Sequence, residues 1–291
     1  MSKKVHPLCL STVRWGAWAL CLVLLAGCAT KADKDKPAAK TPPANPVTQL
    51  KQKVDALNKA IDQDPKNADL HYKLGNALFD MGRFEEAKHA YEDCLDIDPH
   101  RADAFCNLGL SNRRLGLMDD AIAAYQKALA IEPNDPITLS NLEAAYEAEQ
   151  RFQDALKPLS KLYELKPGDM PTATRYADLL FNLKHYDEAA KIYDKIVQSV
   201  PNFGDAYYRL GLCYYDTNDI NRALTIWKSA LANNPHNASI LKAMPVLYWQ
   251  MKDYDQAWEA VGRCQTEGIG LDPEFIAKLQ KDSGRLGPGT Q

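Results

Sequence analysis

Cysteine and histidine hold most of the latent chemistry in this 291-residue sequence, so their spacing is the first thing to weigh. Cys9, Cys21 and Cys28 fall near the N-terminus, while Cys94, Cys106, Cys213 and Cys264 are widely separated. There is no CxxC and no Cys/His cluster with zinc-ligand spacing. His71, His89, His100, His185 and His236 share no periodic position, which points to packing or surface roles rather than a metal site. A Gly-rich phosphate loop, H-E-x-x-H, G-x-S-x-G and the kinase motifs are all missing. With no nucleophile beside a base, the sequence predicts a non-enzyme that needs no cofactor and no metal. Net charge is −3, and Lys3, Lys4 and Arg14 lie in a leader without acids, leaving a mildly acidic body. Such a body is a poor match for nucleic acid, whose binding rests on cationic contacts to phosphate.

The three early cysteines lie in or at the end of a basic leader, MSKKVHPLCLSTVR, and an apolar run, WGAWALCLVLLAG, that ends at Cys28. The layout is that of a secretory signal, with an apolar run too short for a bilayer core, which needs about 20 residues. Leu25, Ala26, Gly27 and Cys28 resemble the bacterial lipobox. The resemblance implies a lipoprotein signal peptide over 1–27 and a lipid-bearing Cys28. Ala29, in place of the aspartate of inner-membrane retention, implies an outer-membrane anchor facing the periplasm of a Gram-negative cell. Residues 28–46, rich in Ala, Lys and Pro, have no apolar periodicity and are expected to form a disordered tether.

The body is organised by its prolines. Pro65, Pro99, Pro133, Pro167, Pro201 and Pro235 recur every 34 residues. On that ruler alanine repeats at 87, 121, 155, 189, 223 and 257. A large apolar residue stands three before each, and another, such as Tyr91, Tyr125 or Trp227, stands four after most of them. Small residues recur at Gly75, Gly109, Ala177 and Gly211. Spacings of three and four put these side chains on one helical face, and small residues let two helices approach closely. Gly82, Gly116 and Asn218 are candidates for left-handed backbone where a first helix stops. Cys94 and Cys264 share one position where alanine is usual, predicting buried thiols. Cys94 with Cys106 is the one pair close enough in sequence to suggest a disulfide.

These columns resemble the tetratricopeptide repeat, W-x2-L-G-x2-Y then A-x3-F then P. The resemblance implies an all-α solenoid, a right-handed superhelix of antiparallel helix pairs. Its expected divisions are an N-terminal helix over 47–67, six units over 68–101, 102–135, 136–169, 170–203, 204–237 and 238–271, a capping helix over 272–283 and a tail over 284–291. The sixth unit departs from the pattern, with Pro245 inside KAMPVLYWQM, so its first helix is expected to start late or kink. In the third, Glu143 stands where small residues are usual.

In that family the first helices line a concave groove. By register the groove takes Tyr72, Asn76, Phe79, Arg113, Arg114, Phe181, Asn182, Tyr208, Tyr215 and Trp249, with Cys106 and Asp178 beside them. Aromatic anchors among polar groups suit an extended or helical peptide. The carboxylate clamp of chaperone-binding relatives is not carried over. Asn76 and Asn107 match it, but Tyr72 and Ile137 replace lysines and Asn141 replaces arginine. Arg113 and Arg114 remain a basic spot for an acidic side chain or a terminus. The expectation is a membrane-anchored periplasmic scaffold for an envelope-assembly protein, resembling the pilotin lipoproteins of type IV pilus and secretin assembly. The alternatives are a scaffold for peptidoglycan hydrolases or synthases and, third, an enzyme.

Overall fold

The computed structural model describes residues 46–201 and 203–288. The leader, Cys28 and the tether up to residue 45 lie outside the described residues, as do Asn202 and the last three positions. Within the described residues there are fourteen α-helices and no strand. They are α1 (Pro46–Gln63), α2 (Ala68–Asp80), α3 (Phe84–Ile97), α4 (Ala102–Arg114), α5 (Met118–Ile131), α6 (Pro136–Ala148), α7 (Phe152–Leu165), α8 (Met170–Asn182), α9 (Tyr186–Ser199), α10 (Gly204–Asp216), α11 (Ile220–Asn233), α12 (Ala238–Gln250), α13 (Tyr254–Thr266) and α14 (Pro273–Ser283). No described helix is long and apolar enough to cross a membrane.

From α2 to α13 the even-numbered helices are first helices and the odd-numbered ones second helices, and each packs mainly on its sequence neighbours. The stop between first and second helix is the same six times. Gly82, Gly116, Gln150, Lys184, Asn218 and Lys252 all have positive φ, and all stand 34 residues apart. The next residue's N–H then reaches back across the turn, as from Arg83 to the Leu78 carbonyl at 2.9 Å and from Arg151 to that of Tyr146 at 2.8 Å. This six-to-one closure satisfies carbonyls the helix leaves open. Gln150, Lys184 and Lys252 accept a left-handed conformation that glycine would take without strain.

The alanine column is the interior. Ala87, Ala121, Ala155, Ala189, Ala223 and Ala257 are all fully buried. Beside it the small-residue column meets the large one within each unit. A methyl on Gly75 would stand 2.5 Å from the Tyr91 ring, and one on Gly211 would stand 1.9 Å from Trp227 Nε1. Where the first column is larger, at Glu143 and Pro245, the second column shrinks to Leu159 and Val261, so volume is conserved at close packing.

The expectation of a late start in the sixth unit is corrected. Helix α12 begins at Ala238, in step with the other first helices, and continues through Pro245. Proline has no N–H to offer the carbonyl four residues back, that of Leu241. The buried Cys264 thiol from α13 donates to that carbonyl at 3.2 Å, supplying a partner from outside the helix. Cys94, Cys106, Cys213 and Cys264 are all free, buried thiols, so Cys94 and Cys106 are not joined and Cys106 packs in the core instead of facing the groove. Burial pushes the Cys213 thiol up to about 12, which leaves little thiolate near neutrality.

Candidate partner-binding groove

The first helices α2, α4, α6, α8, α10 and α12 follow one another along the stack, and side chains bridge α2 to α4, α4 to α6, α6 to α8 and α8 to α10. At the N-terminal end Asn76 Oδ1 accepts from the Tyr91 hydroxyl at 2.7 Å and from Asn107 Nδ2 at 2.9 Å. Asn107 also donates to the Tyr72 hydroxyl at 3.2 Å. Arg101 lies 4.3 Å over the Tyr72 ring and pairs with Asp69 and Asp103. Burial raises the Tyr72 phenol. Phe79 meets Phe84 edge-on at 5.2 Å, and Arg114, exposed, lies 5.9 Å over Phe84. Half-buried Arg113 is the cation whose field opposes the upward push of burial on Tyr125.

At the centre Glu143 is fully buried and ion-paired with Arg175 of the next unit. Burial raises its carboxyl above the usual range, Arg175 opposes this and neighbouring Glu147 adds to it. Its Oε1 has no partner. Next along, Asp178 accepts from the Tyr193 hydroxyl and pairs with Arg209 at 3.1 Å, and Arg209 lies 5.7 Å over Phe181. Phe181 meets Tyr186 edge-on at 5.3 Å, and Asn182 is exposed.

Toward the C-terminus Tyr208 stacks on Trp227 at 6.1 Å, and Trp227 Nε1 donates to the Tyr208 carbonyl at 3.2 Å. Tyr215 is half-buried. Trp249 is engaged by α14. Its Nε1 donates to Asp282 at 2.9 Å, Phe275 meets it edge-on at 6.3 Å, and Lys278 lies 4.2 Å above the ring. The residues placed by sequence therefore lie on the first helices α2, α4, α8, α10 and α12, with Trp249 engaged by α14. Sequence reasoning passed over Arg175, Arg209 and the hydroxyl ends of Tyr91, Tyr125 and Tyr193. The signal was an acid or amide followed 31 or 32 residues later by a basic or amide side chain, as in Asn76 with Asn107, Glu143 with Arg175 and Asp178 with Arg209. Among the described residues no group of three His, Cys, Asp or Glu side chains could hold a metal ion.

Stacked helix pairs that hold one polar and aromatic face in a row define a helical-repeat solenoid. Comparison with known families specifies which. Models described as tetratricopeptide or TPR repeats match residues 49–82, 72–136 and 146–210, and the model of anaphase-promoting complex subunit 3 matches 182–264. Together with the helical architecture, these matches make the chain a tetratricopeptide-repeat protein. Among curated proteins it is similar to the general transcriptional corepressor trfA of Dictyostelium discoideum, 30% identical over 99 residues, which are 33% of this chain and 7% of that protein. It is also similar to the corepressor ssn6 of Schizosaccharomyces pombe, 27% identical over 101 residues, which are 34% of this chain and 9% of that one. The chain thus spans less than a tenth of either relative. Among solved structures, the Naa15/Naa10 complex bound to HypK-THB matches with TM-score 0.67 and 18% identity over 81% of this chain and 37% of that one. YrrB, described as a TPR protein with an unusual peptide-binding site, matches with TM-score 0.51 and 23% identity over 65% of this chain and 98% of that one. At these identities the structural likeness carries the fold alone.

Proposed function

We propose that this protein is a scaffold that binds a segment of a partner protein along the row of first helices and is held by a lipid on Cys28 at the periplasmic face of an outer membrane. The observation carrying the groove reading is the set of half-buried rings on α2, α8 and α10, Tyr72, Phe79, Phe181, Tyr208 and Tyr215, standing among oriented amides, carboxylates and guanidinium groups. Half-buried rings supply contact area at little entropic cost, and fixed polar groups set register and orientation. The membrane part rests on the sequence LVLLAGC at residues 22–28 alone, and an envelope-assembly partner, such as one in pilus or secretin assembly, follows from that location.

The test is photocrosslinking in cells from exposed Asn182 and Arg114, with exposed Lys191 of α9 as the control on a second helix. One envelope protein enriched from the first-helix positions is the expected outcome. Equal labelling from Lys191 would count against the groove. Fatty-acid labelling that survives Cys28→Ala would remove the lipid anchor from the reading.

A further inference from the structure

Helix α6 has a second face, on the side of the helix opposite Ser140 and Ala144, and it holds Leu139, Leu142 and Tyr146. Together with Leu129 of α5 and with Lys157 and Lys161 of α7, these side chains line an open cleft of about 820 Å³ between the two second helices. Ligand sites usually measure roughly 300–1,000 Å³.

The neighbouring gaps show what this cleft lacks. In the gap before it, between α3 and α5, Phe105 stands at the position of Leu139 and packs against the clusters on both sides, with Lys127 5.6 Å over its ring. In the gap after it, between α7 and α9, Tyr163 stands at the position of Leu129, with Lys195 5.7 Å over its ring, and the cavity there is about 250 Å³. Lys127, Lys161 and Lys195 are spaced by 34 residues. The same ammonium is thus present three times, and in the middle cleft neither ring position carries a ring. The pattern returns between α11 and α13, where Leu231 and Leu241 hold the two positions and a cavity of about 380 Å³ remains.

Charge narrows the occupant further. Of the acids lining the α5–α7 cleft, Asp154 pairs with Arg151 at 2.8 Å and Glu164 with Lys161 at 3.3 Å. The second pair is well exposed, so turning its ammonium toward the negative face of a ring costs little. Lys157 has no carboxylate within ion-pair distance among the described residues, which leaves the rim positive. In the smaller cleft Glu259 stands at the position of Lys157, and Arg263, at that of Lys161, donates to the Pro235 carbonyl at 2.7 Å. The same occupant is not matched there.

We propose that the α5–α7 cleft is a second docking surface, which takes an aromatic side chain of a partner protein. The ring lies on Leu139 and Leu142 with the Lys161 ammonium over it, and an acidic residue beside it in the partner pairs with Lys157. The proposal does not rest on the groove reading above.

The experiment is selection of random dodecapeptides displayed on phage against the full-length chain. Selected peptides are then titrated by fluorescence anisotropy against the parent, Leu129→Tyr, Leu139→Phe, Lys161→Met and Asn182→Arg. The first two variants give this cleft the ring its neighbours hold. Both should melt at or above the parent's temperature, since each fills space, and both should weaken binding about tenfold or more. Enrichment of Phe, Tyr or Trp at one fixed position, with an acid beside it, is expected. Replacing that ring by alanine should cost the parent as much and add nothing to the loss in Leu129→Tyr. Lys161→Met should weaken binding about two- to fivefold, the usual worth of an exposed cation on a ring. Asn182→Arg should bind like the parent. Peptides without a fixed ring and acid, or bound equally by the parent and both filled variants, would overturn the proposal, as would no enrichment. A fall in melting temperature in both filled variants would also overturn it, because the cleft would then not admit a ring. Peptides blocked only by Asn182→Arg would overturn it and leave the groove reading standing.

Discussion

Arg175→Met would strand a charge in the centre of the solenoid. Glu143 is fully buried, while the Arg175 side chain is 44% exposed, so the variant keeps most of the arginine's aliphatic contact and loses the guanidinium. Removing one partner of a buried ion pair typically costs about 3–5 kcal/mol, and the exposed side of Arg175 places this case near the lower end, at about 3 kcal/mol. The pH dependence has a definite sign. Burial already holds the Glu143 carboxyl above its ordinary 4.5, and losing Arg175 removes the main influence that lowers it. A folded carboxyl with a raised pKa takes up a proton on folding. Stability is therefore greatest below about 4.5, the unfolded value, and is lost as pH rises through the folded value. Urea unfolding followed by circular dichroism at pH 5 and pH 8 should show a smaller gap between parent and variant at pH 5. The double variant Glu143→Leu, Arg175→Met should recover most of the loss, since an apolar replacement carries no stranded charge. A cost below about 1 kcal/mol that is equal at both pH values would mean a solvated surface pair and would refute the reasoning.

Two further outcomes test the packing. Gly211→Ala drives a methyl into Trp227 Nε1 and should lower stability by about 1–3 kcal/mol, whereas Gly168→Ala, with open space around it, should be neutral or slightly stabilising in the same thermal melts. Cys264→Ala should cost about 1 kcal/mol more in the native background than in Pro245→Ala, where an alanine N–H serves the Leu241 carbonyl in place of the thiol. A double-mutant cycle without coupling would show that the thiol is only filling space.

The fold was largely legible because its main determinants are periodic. The alanine column, the small residues opposite tyrosine or tryptophan and the 34-residue proline spacing each follow from a helix pair stacked on copies of itself. What escaped was local chemistry forced by tertiary position. Lysine and glutamine have little intrinsic preference for left-handed backbone, yet Gln150, Lys184 and Lys252 adopt it because the second helix must turn back at that point. Pro245 reads as a helix breaker until a thiol 19 positions later is seen to serve the orphaned carbonyl. The candidate groove residues were legible as members of first helices but not by contact. Register placed Trp249 in the row, but nothing local signals that Asp282 and Lys278 of α14 engage it. The cross-unit pairs link side chains 31 or 32 residues apart, beyond any single-helix pattern.

Those cross-unit pairs also key the seams of the stack. The glycine and tyrosine fits are internal to a unit and travel with it, but each pair at position 143, 178 or 76 joins two different units. Excising residues 170–203 would bring Arg209 into the place of Arg175 and keep Glu143 matched. Excising 136–169 would set Arg175 beside Gly109 and Leu110, with no carboxylate to meet it. The modules are thus alike in shape but not free to change neighbours, and the chain carries a reading order that its backbone alone would not impose.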